Sequence, residues 1–191
     1  ARFLVLEIGR PDEVREGDED ALGRFLAEAV PGHWILEMDA GKPGAVAIAE
    51  RQRLLPQHAE LIGCWSEGWP QMLRGEIAGS VQILDELRRR GLRLYALTNF
   101  STETFPIARE RCEFLGWFED IVGSGEHGVV KPDPIIYELA FRRCRLEAAR
   151  TVFIDDTPAN VEAARGLGLH ALHFTGPEKL RADLVALGLL D

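Results

Sequence analysis

The chain has 191 residues, 46% of them apolar and 28% charged, which suits one soluble globular unit with a sizeable core and excludes collagen-like, disordered and disulfide-scaffold classes. Its 22 basic residues are outnumbered by 31 acidic ones, a net charge of -9, so a general affinity for nucleic acid or anionic membranes is not expected. Cys64, Cys112 and Cys144 are widely spaced and outside any CxxC pattern, and no apolar stretch approaches the roughly 18 residues of a membrane span; a cytoplasmic protein is the expectation.

In chain order, Phe3 to Ile8 is an apolar strand candidate. From Asp18 to Leu73 apolar residues recur at helical spacing (Leu22, Phe25, Leu26 and Ala29; then Leu54, Leu55, Leu61, Ile62 and Trp65), and no strand is apparent. Ser80 reads as an N-cap for a helix Val81–Arg90 that stops at Gly91, and the apolar run Leu92–Thr98 follows as a buried strand. The rhythm then repeats: strand Ile121–Ser124, helix Pro134–Arg143, strand Thr151–Asp155, helix Pro158–Leu167, strand Ala171–Phe174. The expected fold is α/β, a Rossmann-like parallel sheet of about five strands with helices on both faces plus a small helical cap. The core is assigned to residues 1–14 and 78–191 and the cap to 15–77.

In such sheets ligands sit beyond the carboxyl ends of the strands. Asp155-Asp156 closes one strand, and two adjacent carboxylates suit a hard cation such as Mg²⁺, which needs only one or two of them; a solvated turn is the plainer alternative. Thr98-Asn99 closes another, offering a hydroxyl, an amide and backbone N–H groups to an oxyanion, although alone it is only a turn signal. Lys131 precedes Pro132-Asp133-Pro134, where stiff backbone can aim an ammonium into a cleft, whereas a lone lysine before proline usually lies on the surface.

These signals occur in a set order: Leu97-Thr98-Asn99-Phe100-Ser101, then Gly128-Val129-Val130-Lys131-Pro132-Asp133-Pro134, then Val152-Phe153-Ile154-Asp155-Asp156-Thr157-Pro158. They resemble the second, third and fourth motifs of the haloacid dehalogenase-like (HAD) hydrolase superfamily, and the layout is similar to its subfamily with a small helical cap after strand one. The resemblance implies a phosphatase-type site. Thr98, Asn99 and Lys131 would bind the phosphoryl group, Lys131 would also orient the nucleophile, and Asp155 and Asp156, with Glu7 and the Gly9 position, would hold Mg²⁺. It also implies a small phosphorylated substrate, an acyl-phosphate intermediate, and a monomer or homodimer. The Asp-Asp pair favours phosphate-ester hydrolysis over 2-haloacid dehalogenation, which works without metal.

The first motif departs from the family pattern. Glu7 falls on the position of the nucleophilic aspartate, and Gly9 on that of the acid/base aspartate of many phosphatases. The extra methylene of glutamate displaces the carboxylate by about 1 Å, and such a misplacement costs roughly a hundredfold in rate. Arg10–Gly17 is short for the family's turn and flap. Three readings stay open: a relative that binds without hydrolysing, an altered N-terminal sequence, or Asp12 or Glu13 standing in. Cap candidates for substrate contact are Trp34, Trp65, Trp69, His33 and His58.

Overall fold

Five short strands pair in parallel in one sheet. The computed structural model describes residues 3–6, 19–73 and 75–191; the expectations for Glu7, Gly9 and Arg10–Gly17 lie outside these. The strands are β1 (Phe3–Leu6), β2 (Arg93–Thr98), β3 (Asp120–Gly123), β4 (Thr151–Asp155) and β5 (His170–His173). Their order is β3-β2-β1-β4-β5. Phe3 lies opposite Arg93 on one side and Thr151 on the other, so β1 is the central strand. The chain winds outward from β1 through β2 to β3, then crosses to β4 and β5, which puts the reversal of strand order at β1.

Ten α-helices are described: α1 (Glu19–Ala29), α2 (Gly32–Asp39), α3 (Gly44–Leu54), α4 (Ala59–Gly63), α5 (Trp65–Met72), α6 (Ala78–Arg89), α7 (Phe105–Arg111), α8 (Pro134–Cys144), α9 (Pro158–Gly166) and α10 (Pro177–Ala186). On one face of the sheet, Leu94, Val152 and Ile154 pack with Ile83, Leu84 and Leu87 of α6 and Leu180 and Leu184 of α10. On the other, Tyr95, Leu97 and Phe153 meet Ile136, Tyr137 and Ala140 of α8 and Val161 and Ala164 of α9. Both faces of β2 and β4 are therefore buried, which is why these strands are apolar almost throughout. Among the described residues no helix is long and apolar enough to cross a membrane.

Two local expectations are corrected. Helix α6 begins at Ala78, so Ser80 lies inside its first turn, donates its N–H to Ile77 O at 2.8 Å, and buries an Oγ with no partner; Ile77, in extended conformation, ends the preceding loop. Leu54 and Leu61, placed on an apolar helical face, are 70% and 59% exposed, because their helices turn other residues inward.

Helices α1 to α5 form a block around a small core of Trp34, Met38 and Ala47, with Trp65 edge-on to Trp34 at 5.1 Å. Polar contacts join the block to the sheet domain at several points, among them Arg111 of α7, whose guanidinium donates to Pro70 O of α5. Ser124 Oγ donates to Asp39 O at 2.6 Å and accepts from Phe100 N at 3.0 Å. The Glu103 carboxylate accepts from Gly44 N, at the start of α3, with both oxygens at 3.2 Å. Backbones approach closely here: a Cβ at Gly125 would lie 2.8 Å from Phe100 O and 2.9 Å from Thr102 N.

At the sheet edge Arg143 grips Asp120 with two parallel bonds of 2.7 and 2.8 Å, holding that carboxyl below the usual carboxylate range. Asp120→Asn is expected to cost about 1 kcal/mol at neutral pH. Because the folded-state value is depressed, the stabilisation is present above the ordinary carboxylate range and lost as pH falls through it. Urea midpoints of the two proteins should converge on acidification.

Candidate active site

The carboxyl ends of β2 and β4 flank that of β1, and the residues singled out there gather around one buried ammonium. Lys131 leaves the loop after Gly128 by a cis peptide to Pro132, and Asp133 then caps α8 by accepting from Ile135 N at 2.9 Å. Its Nζ donates to Leu97 O of β2 and to Asp155 Oδ2 of β4, both at 2.8 Å. The ammonium thus bridges β2 and β4, the two strands that flank β1. The surface alternative for Lys131 is thereby overturned: its side chain is fully buried. Burial pulls its pKa down to about 8, against the opposing pull of Asp155.

Asp155 is as fully enclosed as its partner. While Oδ2 takes the lysine, Oδ1 accepts from Thr157 N at 2.8 Å and from Asn160 Nδ2 at 3.0 Å. Asn160 is held in turn by Tyr137, whose hydroxyl donates to Asn160 O at 3.0 Å. Burial raises the Tyr137 pKa, and its proton stays on the donor side of that bond. Thr157 heads α9 without a side-chain capping bond; the cap to its N–H comes from Asp155 instead.

Asn99 clamps the backbone of the lysine: its Oδ1 accepts from Lys131 N at 2.8 Å and its Nδ2 donates one N–H to Lys131 O at 3.1 Å. Thr98 is fully buried at the end of β2, one residue before it. The residues that sequence reading missed are Asn160, Tyr137 and Ser124. Asn160 stands five places after Asp155 as the third residue of α9, within the first helical turn, where its Nδ2 reaches back to Asp155 Oδ1; that spacing was the available signal.

The described part of the site suits a hard cation. Three of Asp155's acceptor positions are filled by donors, whereas Asp156 is partly exposed beside it, with its backbone O accepting from His173 Nε2 at 2.9 Å. One or two carboxylates with room for water are what Mg²⁺ requires. Among the described residues no third His, Cys, Asp or Glu joins them.

Beside the site lies a hollow of about 250 Å³ between the helical block and the loop after β2. Ile35 and Met38 of α2, Trp65 and Trp69 of α5 and Ile107 of α7 give it apolar walls. Of the cap candidates, Trp65 and Trp69 reach this hollow. Trp34 is buried within the block with Nε1 donating to Ala47 O, His33 is exposed, and His58 packs on Phe25 and Glu28.

A family model described as haloacid dehalogenase-like hydrolase matches residues 69–168. Sesquiterpene phosphatase astK of Aspergillus oryzae is 35% identical over 98 residues, covering 51% of this chain and 50% of that protein. The chain spans half or less of the length of the curated relatives that it matches first. Among solved structures, a HAD-like family hydrolase from Porphyromonas gingivalis has TM-score 0.71 at 22% identity and 97% coverage of both chains. A HAD family enzyme from Bacteroides thetaiotaomicron, solved with magnesium and inorganic phosphate, has TM-score 0.66 at 17% identity, covering 90% of this chain and 93% of that one. With a family model spanning more than half its length and the fold shared from end to end, this chain belongs to the haloacid dehalogenase-like hydrolase family.

Proposed function

We propose that this hydrolase cleaves a small phosphate monoester with Mg²⁺ bound at Asp156 and Asp155. The observation that supports this most is the Lys131 ammonium, buried between β2 and β4 and paired with Asp155 beside a second carboxylate. Bound there, Mg²⁺ would supply charge neutralisation for the phosphoryl oxygens. The residues of the chain do the rest. Lys131, held at Nζ by Leu97 O and Asp155 Oδ2 and at its backbone by Asn99, sets its positive charge beside the equatorial phosphoryl oxygens. Thr98, at the end of β2, is assigned to the same group. The strand-one carboxylate, Glu7, attacks phosphorus in line as the ester P–O bond breaks, the departing alcohol takes a proton from water, and a second water then cleaves the acyl-phosphate to inorganic phosphate and the free carboxylate.

Two carboxylates at the end of β4 favour this reaction over dehalogenation. The second reading, a binding protein that no longer turns over, is favoured by Glu7 at the nucleophile position. The expected result is hydrolysis of a chromogenic phosphate ester that depends on Mg²⁺ and is abolished in Asp156→Asn. Activity indifferent to both would sink the phosphatase reading. Restoring the family residue with Glu7→Asp should raise kcat about a hundredfold if misplacement is the limit.

A further inference from the structure

We propose that His173 is a positioning residue of the metal site: its imidazole fixes the backbone of Asp156 and thereby aims that carboxylate at Mg²⁺. The role rests on the assignment of Mg²⁺ to Asp156 and Asp155 made above. Strand β4 ends at Asp155, and β5, which pairs with it at the edge of the sheet, ends at His173, the register partner of Asp155. The Asp156 carbonyl lies one residue past the ladder of these two strands, and the imidazole meets it there, Nε2 donating at 2.9 Å. The residue after His173 supports the other half of the acidic pair: Phe174 N donates to Asp155 O, also at 2.9 Å. On the far side of Asp156, Thr157 N donates to Asp155 Oδ1 at 2.8 Å.

These bonds bracket one α-carbon. The peptide that enters Asp156 is held at its oxygen by Phe174; the peptide that leaves it is held at its oxygen by His173 and at its nitrogen by Asp155. The planes of the two peptides beside an α-carbon set its φ and ψ, and with them the direction of its Cα–Cβ bond. Only χ1 and χ2 then remain to be settled when the carboxylate meets a cation. The His173 bond comes from a side chain outside the turn between β4 and α9, so substitution removes it without touching either metal carboxylate.

The nature of the cation makes this aim matter. Mg²⁺ demands near-ideal octahedral geometry at about 2.0–2.1 Å, so a carboxylate carried on a loosened turn binds it less well. Partners that hold a metal ligand in place typically contribute about ten- to a hundredfold to metal affinity. If His173 did no more than satisfy a carbonyl at the sheet edge, its loss would lower stability and leave metal binding as it was.

The test is calorimetric titration of the full chain with Mg²⁺, no substrate being present, beside urea unfolding of the same proteins. His173→Leu, which keeps bulk and removes the donor, is expected to weaken Mg²⁺ binding about tenfold. His173→Gln returns an N–H at about the reach of Nε2 and should recover most of that loss. Leu172→Ala, which takes apolar packing from the neighbouring position of β5 and touches none of the bonds around Asp156, should lower the urea midpoint yet bind Mg²⁺ as the parent does. Asp156→Asn marks the site by losing the binding. His173→Leu with the parent's affinity, His173→Gln no better than His173→Leu, or an equal loss in Leu172→Ala overturns the role of His173 and leaves the metal site standing. A parent that binds no Mg²⁺, or binding that Asp156→Asn leaves intact, overturns the metal assignment and takes this inference with it.

Discussion

Lys131→Met is expected to lower the phosphatase rate about a thousandfold and the folding stability by about 3 to 5 kcal/mol. The two losses share one origin. Methionine matches the length of the lysine stem but leaves Asp155 Oδ2 and Leu97 O, both buried, without the donor that satisfied them at 2.8 Å. An uncompensated carboxylate in that position is far more costly than the original pair was favourable. The double variant Lys131→Met/Asp155→Asn separates the effects. With the ammonium gone, an asparagine can turn its oxygen to Thr157 N and Asn160 Nδ2 and present a neutral amide where Oδ2 stood. Urea unfolding should recover much of the lost stability, while turnover stays absent. A double variant no more stable than Lys131→Met would show that the buried charge is not what the lysine relieves.

The second large effect distinguishes two adjacent carboxylates. Asp156→Asn should abolish Mg²⁺-dependent turnover yet cost less stability than Asp155→Asn, since the Asp156 side chain is partly exposed, accepts a long bond of 3.4 Å from Thr157 Oγ1, and leaves the His173 contact to its backbone oxygen. Asp155→Asn should abolish turnover and also cost about 3 kcal/mol. All three groups around Asp155 are donors, so either orientation of an amide sets its NH₂ against Lys131 Nζ or against Thr157 N and Asn160 Nδ2. Paired urea titrations and Mg²⁺-dependent rates check this. Equal stability losses at the two positions would contradict the division of labour read from the hydrogen bonds.

How much of this was legible in the sequence depends on whether the deciding interaction is local. The strand Thr151–Asp155 was bounded to the residue, because both its faces are buried and its ends are marked by Arg150 and the Asp155-Asp156-Thr157-Pro158 turn. The N-terminus of α8 was equally readable from Asp133-Pro134. Helix α6 was misplaced at its start because Ser80 looks like a cap, whereas burial of Ile83, Leu84 and Leu87 sets the phase of the helix and draws Ser80 inside. At the site, the gathering of Lys131 and Asp155 was legible from the order of the motifs, with Asp155 closing β4 and Lys131 in the loop before Pro132. The clamp that Asn99 makes on the lysine's backbone was not, because it depends on the approach of two segments 32 residues apart. The hollow was out of reach as well: it depends on how α2, α5 and α7 meet across long stretches of chain.

The central position of β1 carries a further consequence for how the molecule assembles. Its neighbours in the sheet are Arg93–Thr98 and Thr151–Asp155, so the strand that leads into Glu7 stays unpaired while most of the chain is still being made. Closing loops of that length is slow, and an unpaired apolar strand is meanwhile exposed to wrong partners. The block Glu19–Met72, held by short-range packing of Trp34, Met38, Ala47 and Trp65, can organise earlier. The carboxyl end of the sheet is thus among the last parts to form, and nascent chains arrested before Arg93 should hold a folded helical block beside an unpaired first strand.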